Sequence, residues 1–280
     1  MSGTWLIVNS ASGSFAPARV EAIVAAFAAG GRPVTRTIRL PEEPLPDAAA
    51  AHAGAPELIA IFTGDGTVSA AVDRLGPDEG AWNGPLLILP GGTMNLLARK
   101  LHGDGEAEAI VAAALGGPFK TVRMMQARGC GQQSLVGIIA GPTTAWGAVR
   151  EDLRNTDLAA LAKSVPQALD KTLNGDPMTV AGVDGHYQAI FVEPQQDMLE
   201  ATGIKAANFG ELLQHGFAWL NRDFLGGPTE PLLRARQVTI GGEDVIGLLV
   251  DGERASARGP CTFTLVPCPL AFVTTAGEAA

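Results

Sequence analysis

Apolar positions in the first 115 residues follow two rhythms. Short dense runs, Trp5–Val8, Leu58–Phe62 and Leu86–Leu89, have the length of strands buried on both faces. Val34–Leu40 alternates and predicts another strand. Between these runs, apolar residues recur three and four positions apart. Val20, Ile23, Val24 and Phe27 form one face of a helix over Ala18–Ala29, stopped by Gly30-Gly31. Val68, Ala71, Val72 and Leu75 form one face of a helix that starts near Thr67. Asp47–Ala53, Leu96–Leu101 and Glu106–Leu115 predict three more helices. Strands alternating with helices predict a parallel sheet covered on both faces, a three-layer α/β domain.

The texture changes after Gly116-Gly117-Pro118. Short β-type runs follow: Thr121–Ala127, Ser134–Ala140, Met178–Val183, Tyr187–Val192, Val238–Ile240, Val245–Val250, Cys261–Val266 and Leu270–Thr274. Asp184-Gly185 has the composition of a hairpin turn. Trp146–Leu173 has helical spacing, with Pro166 interrupting it. Short strands at this spacing predict a mainly antiparallel β-sandwich. The expected organisation is therefore an α/β domain over 1–118, a β-sandwich domain over 119–276 and a frayed tail over 277–280, with the break near residues 116–121.

Composition narrows the function. Hydrophobic residues make up 46% of the 280, charged residues 18%, and mean hydropathy is +0.18. This suits a well-buried fold. The net charge of −9 and the absence of a Lys/Arg-rich run argue against broad binding to nucleic acid or polybasic docking on anionic lipid. Any membrane contact would be apolar, local and transient. No apolar run approaches the roughly 20 residues of a membrane span, and the N-terminus lacks a signal-peptide pattern. Three cysteines, Cys130, Cys261 and Cys268, without C-x-x-C spacing predict free thiols in a reducing cytoplasm.

Three loops rich in small polar residues follow predicted strands: Asn9–Gly13, Thr63–Thr67 and Pro90–Asn95. Ligands of open α/β sheets bind beyond the carboxyl ends of the strands. Gly64-Asp65-Gly66 joins a strand to a helix, and backbone N–H groups at such a helix start bind phosphate. A carboxylate there calls for a cation, a metal or a transferable proton. Taken alone, the segment reads equally well as an ordinary turn with Asp65 as a helix cap. The four histidines have no ligand spacing to one another or to cysteine, so a zinc site has no support. No G-x-S-x-G elbow marks a hydrolase.

Four segments in order resemble the diacylglycerol kinase catalytic-domain family, which includes sphingosine-kinase-like and bacterial lipid kinases. Asn9-Ser10-Ala11-Ser12-Gly13 matches its N-P-x-x-G, and Thr63-Gly64-Asp65-Gly66-Thr67 its G-G-D-G-T. Pro90-Gly91-Gly92-Thr93-Met94-Asn95 matches its P-x-G-T-x-N, and Asp251-Gly252-Glu253 its late D-G-E. The resemblance implies an ATP- and Mg²⁺-dependent kinase that phosphorylates a lipid hydroxyl, with the second domain holding the lipid. Gly64, Gly66, Thr67, Gly92, Thr93 and Asn95 would then hold phosphates, and Asn9, Ser10 and Gly13 would border the nucleotide. Asp65 would handle Mg²⁺, which takes few carboxylates. Glu253 is the implied proton acceptor, supported by Asp251, and Asp65 is the alternative base. Without the other segments, Asp251-Gly252 would read as a hairpin turn. A homodimer stays open.

The chain departs from the pattern at several places. Thr63 replaces a glycine and Ser10 a proline. Ser69 and Ala70 stand where an Asn-Glu pair is usual, and Gly137–Pro142 lacks the second-domain aspartate. These departures support one alternative, a catalytically degenerate relative that binds nucleotide or lipid without turnover. An NAD kinase-type phosphotransferase is the other. Its pattern lacks P-x-G-T-x-N and carries an Asn-Glu pair that is missing here. Arg99 could neutralise phosphate charge, and the apolar-aromatic stretch Leu212–Leu225 could line a lipid groove, although solvation and core packing are the default roles.

Overall fold

The computed structural model describes residues 3–11, 15–141, 177–204, 229–242 and 244–276. The helix expected over Trp146–Leu173 and the stretch Leu212–Leu225 lie outside them. The chain divides into two units, Met1–Met124 with Pro267–Ala280, and Met125–Val266.

The first unit begins with β1 (Thr4–Asn9), α1 (Pro17–Ala29), β2 (Val34–Leu40), α2 (Ala48–Gly54), β3 (Leu58–Thr63), α3 (Asp65–Leu75), β4 (Pro85–Pro90), α4 (Leu96–His102) and α5 (Ala107–Leu115). Its sheet has the order β2-β1-β3-β4-β18-β5, where β5 is Thr121–Val122 and β18 is Ala271–Val273. Strands β1 to β4 and β18 run parallel, and β5 closes the edge antiparallel. All six residues of β3 are buried, as periodicity without alternation predicted. Leu6, Val8, Leu58, Ala60, Phe62, Leu87 and Leu89 pack on α1 and α5 through Val20, Ile23, Phe27, Ile110 and Val111. Ile7, Ile59, Ile61 and Ile88, on the alternate positions, are equally buried, so the other face is covered too. Each fully buried aliphatic side chain contributes about 1.5–3 kcal/mol.

Helix ends follow local chemistry. Pro17 opens α1, where a missing N–H costs nothing. Asp47 caps α2 through the Ala50 N–H at 2.8 Å. Val68, Ala71, Val72 and Leu75 are the buried face of α3, as their spacing predicted. That helix starts at Asp65, two residues earlier than Thr67, with Gly64 in the extended N-cap conformation.

Among the described residues the second unit is antiparallel. One sheet has the order β10-β9-β14-β17-β6-β7 and the other β13-β12-β11-β8-β15-β16. The strands are β6 (Met125–Gly129), β7 (Gln132–Ser134), β8 (Ile138–Ala140), β9 (Met178–Val180), β10 (Val183–Tyr187), β11 (Ala189–Pro194) and β12 (Leu199–Ile204), followed by β13 (Thr229–Ala235), β14 (Gln237–Gly241), β15 (Val245–Val250), β16 (Glu253–Arg258) and β17 (Cys261–Pro267). One core, with Ala127, Val180, Val238 and Phe263 from the first sheet and Ile138, Val192, Leu199 and Leu248 from the second, makes the pair a sandwich.

Four expectations need correction. Leu270–Thr274 was expected in the sandwich, but β18 joins the parallel sheet beside β4, so the chain returns to its first unit at the end. Asp184-Gly185 lies inside β10, and the tight turn is Ala181-Gly182, with Gly182 at φ 82°. The run Ser134–Ala140 is broken between β7 and β8, because residues 135–137 bend to meet a carboxylate. Cys130 and Cys261 form a disulfide, their Cα atoms 5.9 Å apart, where free thiols were expected. An odd count says nothing about which strands lie side by side, and the turn after β6 lies next to the start of β17. The cysteines therefore give no argument for a reducing compartment. Cys268 lies outside the disulfide and is buried, in keeping with a packing role. Among the described residues no helix is long and apolar enough to cross a membrane.

Candidate functional site

The order β2-β1-β3-β4 places the topological switch point between β1 and β3. The chain leaves β1 toward one edge and β3 toward the other, which opens a crevice at their carboxyl ends. The loops after β1, β3 and β4 all end at this edge, and they are tied together.

Asn9, the last residue of β1, donates from Nδ2 to Thr67 Oγ1 at 3.1 Å, and its Oδ1 accepts the Ala11 N–H at 3.0 Å. One amide thus orders the first loop and holds the first turn of α3. Ser10 faces the other way. Its Oγ lies 2.8 Å from the Leu40 carbonyl and 2.9 Å from Glu42 Oε1, at the end of β2. Gly13 lies outside the described residues.

Asp65 joins the second loop to the third. Its Oδ2 accepts the Asn95 N–H at 2.9 Å and its Oδ1 the Leu96 N–H at 2.7 Å. A carboxylate at the start of α3 therefore caps α4, thirty residues on. Asn95 takes the left-handed conformation, φ 53°, and closes its own loop. Its Oδ1 accepts the Gly92 N–H at 2.7 Å, and its Nδ2 donates to the Gly92 carbonyl at 3.0 Å.

Two glycines make this approach possible. A Cβ on Gly91 would lie 2.5 Å from Thr63 N, and one on Gly92 would lie 2.6 Å from Gly64 Cα. Backbone meets backbone there, and no side chain fits. Thr63, the departure from the family pattern, is 2% exposed, and its hydroxyl donates to the Gly64 carbonyl at 3.2 Å. It therefore points into the protein. Gly64, Asp65, Gly66 and Thr67 are half-buried and Thr93 is exposed.

Basic groups differ in what they touch. Arg99 is paired with Asp104 at 2.8 Å and again at 3.2 Å, so its charge is already matched on α4. Arg19, which the sequence did not single out, donates to the Pro90 carbonyl at 3.4 Å and lies 5.0 Å from the Phe62 ring centroid. It sits beside the strand ends that carry the second and third loops. His102, at the far end of α4, is mostly buried. Its Nδ1 lies 3.0 Å from Thr275 Oγ1 and accepts the Thr275 N–H at 3.3 Å. Nε2 is buried without a hydrogen-bond partner. Burial lowers the imidazole pKa to about 4, with the Ile88 carbonyl opposing the shift.

Asp251 and Glu253 belong to the second unit. Asp251-Gly252 is the two-residue turn between β15 and β16, with Val250 opposite Glu253. Both turn residues have positive φ, 48° and 87°, which is the type I′ signature. Asp251 is 8% exposed. Its Oδ1 accepts from Ser134 Oγ at 2.5 Å, Val136 N at 2.9 Å and Gly137 N at 3.0 Å, and Oδ2 accepts from Leu135 N at 3.0 Å. Its own N–H donates to the Gly137 carbonyl at 3.0 Å. Glu253 is exposed at the head of β16. The hairpin reading and the D-G-E reading thus describe one object. Sequence reasoning missed Ser134, because no motif marks it.

Among the described residues no three His, Cys, Asp or Glu side chains cluster as metal ligands. Magnesium does not require such a cluster. It is commonly held by one or two carboxylates together with the substrate's phosphates. Asp65 fits that demand. It is half-buried at the start of α3, and the backbone N–H groups of Asn95 and Leu96 hold its carboxylate in place.

No curated protein matches the chain. Three solved structures from Bacillus anthracis str. Sterne are similar over nearly its full length. One, described as a diacylglycerol kinase, shares 19% identity, with 98% of this chain and 97% of that one covered and a TM-score of 0.63. Two described as putative diacylglycerol kinases share 20% and 19%, cover 98% and 100% of this chain and 97% and 98% of theirs, and both have a TM-score of 0.64. At that identity they show a common fold. The model of the diacylglycerol kinase catalytic domain matches residues 4–127, which contain the three linked loops. The motifs, the loop geometry and this match agree in making residues 4–127 similar to the diacylglycerol kinase catalytic domain.

Proposed function

We propose that this protein is an ATP- and Mg²⁺-dependent lipid kinase that transfers the γ-phosphoryl group to a hydroxyl of a diacylglycerol-like or sphingoid lipid. One observation carries the reading. Asn9, Gly64–Thr67 and Gly91–Asn95 are bonded to one another at the switch point of the parallel sheet, where an α/β fold receives a nucleotide. The first turn of α3 offers backbone N–H groups and the Thr67 hydroxyl to phosphate oxygens. Thr93, exposed on the third loop, adds a second hydroxyl. Asp65 would hold Mg²⁺, which when bound supplies neutralisation of the transferring phosphate charge.

Phosphoryl transfer also needs a base at the acceptor hydroxyl. Glu253 is exposed and acidic, and it follows a turn that Asp251 makes rigid. A Glu253 carboxylate oxygen would take the hydroxyl proton as the new P–O bond forms to the γ-phosphorus and the bond from the γ-phosphorus to the bridging oxygen breaks, with ADP as the leaving group. Asp251 is buried and its carboxylate is held by Ser134 and three backbone N–H groups, so it supports the turn rather than receiving a proton. The second unit, with its apolar sandwich, would present the lipid. The protein would work from the cytoplasm through transient contact with a membrane surface, alone or as a homodimer.

The test is transfer of radiolabel from ATP to a panel of lipids by the wild type, Asp65→Ala and Glu253→Gln, with mass spectrometry of co-purifying lipids to choose the panel. The wild type should label a lipid, and each variant should lose at least about tenfold in rate. If both variants keep wild-type rates, the roles are misassigned. Phosphorylation of NAD in place of lipid would overturn the substrate class. ATP binding without turnover on any lipid would point to the degenerate alternative.

A further inference from the structure

Buried polar groups outside the three linked loops converge most densely on Asp251. Four donors meet one carboxylate, three of them on Oδ1. The loop between β7 and β8 spends all of its consecutive N–H groups, Leu135, Val136 and Gly137, on this acceptor. Gly137 returns the contact by accepting the Asp251 N–H. Ile138, next in the chain, pairs with Val250, the residue before Asp251. The loop and the turn are therefore clamped over four consecutive residues. Asp251 is held at φ 48°, a conformation an L residue adopts reluctantly. A two-residue turn alone would leave that conformation to thermal exchange.

We propose that Ser134 is a positioning residue. Through its hydrogen bond to Asp251 it fixes the β15–β16 turn and so sets the direction of Glu253 at the head of β16. Ser134 supplies the only side chain among the four donors found on the described residues. It is 1% exposed, so its hydroxyl has no water to compete for Asp251. Its role follows from rigidity at a distance: Glu253 lies two residues beyond the anchored carboxylate and shares no hydrogen bond with Ser134 in the described geometry. The inference rests on Glu253 as the proton acceptor, and its test separates the two ideas.

Ser134→Ala and Ser134→Thr would be compared with the wild type by hydrogen–deuterium exchange and by steady-state kinetics. In Ser134→Ala, protection at residues 250–254 should fall at least about tenfold while β11 and β12 keep theirs. The kcat should fall about tenfold with KM for ATP within about twofold, because a misdirected base affects the chemical step and not nucleotide binding. Ser134→Thr keeps the hydroxyl and should recover most of both. Unchanged protection at 250–254 overturns the anchor. Lost protection with unchanged kcat overturns the link to Glu253, as does an equal rise in KM for ATP. If the wild type transfers phosphate to no lipid and yet shows the exchange coupling to Ser134, the kinase reading fails while the anchor stands.

Discussion

Asp65 and Asp251 are built on the same plan and differ in what they leave over. Each sits at a glycine-containing turn, and each carboxylate is gripped by backbone N–H groups of a loop distant in sequence. Asp65 is half-buried and takes two N–H groups, one per oxygen, from the start of α4. Asp251 is buried and takes four donors, among them a side-chain hydroxyl. A carboxylate oxygen has about two acceptor sites. Asp251 Oδ1 is therefore saturated, with three donors, while the half-buried Asp65 is the more open of the two to solvent. In one acidic motif the aspartate joins two loops and is the residue proposed to hold Mg²⁺. In the other it pins a turn, and its exposed neighbour Glu253 is the residue proposed as proton acceptor.

The largest expected effect tests that contrast directly. Asp251→Ala strands a buried hydroxyl and three buried N–H groups, at about 1–3 kcal/mol each when left unpaired. Partial repair by water should still leave a loss of roughly 3–5 kcal/mol in the second unit, read as a lower urea midpoint. Asp65→Ala should cost only about 1–2 kcal/mol, because its donors are near solvent. It should nevertheless reduce affinity for Mg²⁺-nucleotide at least about tenfold by calorimetry. Equal stability losses in the two variants, or intact nucleotide binding in Asp65→Ala, would erase the distinction.

Next in size is the opposite end of α4. Asp65 holds its first turn and His102 its last, where Nδ1 accepts from Thr275. The imidazole is kept neutral, with its pKa lowered from 6.5 to about 4 by burial. The unfolded chain thus binds a proton that the folded one refuses. Stability from this group is full above pH 6.5 and is lost as pH falls toward 4, by up to about 3 kcal/mol. Urea unfolding at pH 7 and pH 4.5 should show a smaller drop in His102→Gln than in the wild type. Identical drops would mean that His102 titrates normally.

The third effect probes the contact between loops. Gly92→Ala places a methyl 2.6 Å from Gly64 Cα, backbone against side chain. Overpacking of this kind costs about 1–3 kcal/mol. Because the displaced atoms belong to the turn proposed to face phosphate, nucleotide affinity should fall by about tenfold as well. A loss of stability with unchanged affinity would separate the packing of the loops from binding.

Much of this was legible in the sequence, for reasons that can be stated. Strands β1, β3 and β4 are buried on both faces and read as continuous apolar runs. Helix α3 was marked by Val68, Ala71, Val72 and Leu75, which are its buried face. The three site loops followed from small polar residues after each strand. Partners far along the chain were not legible. The sequence of β18 is that of any short apolar strand, and only tertiary pairing puts it beside β4. Strand β16, Glu253–Arg258, is polar at an edge and has no hydrophobic signal, and β12 alternates through Ala201 and Gly203 with little contrast. Ser134 looked like part of a strand continuing to Ala140. The interruption is caused by an acceptor 117 residues away, which no local window contains.

The smallest effect concerns the residue that departs most visibly from the family pattern. Thr63 stands where the motif has glycine, and a side chain there could obstruct a phosphate or bind it. Burial argues against both. Thr63 is 2% exposed, its hydroxyl is engaged with the Gly64 carbonyl, and its backbone N–H side is covered by Gly91. Thr63→Gly restores the motif but removes packing and loosens a strand end, at about 1 kcal/mol. Nucleotide affinity should stay within about twofold of the wild type. A tenfold gain would mean that the threonine blocks the site, and a tenfold loss that its hydroxyl turns outward to the ligand. Either result would return Thr63 to the binding surface and move the boundary between ligand-facing and inward-facing residues drawn by the contrast of Asp65 with Asp251.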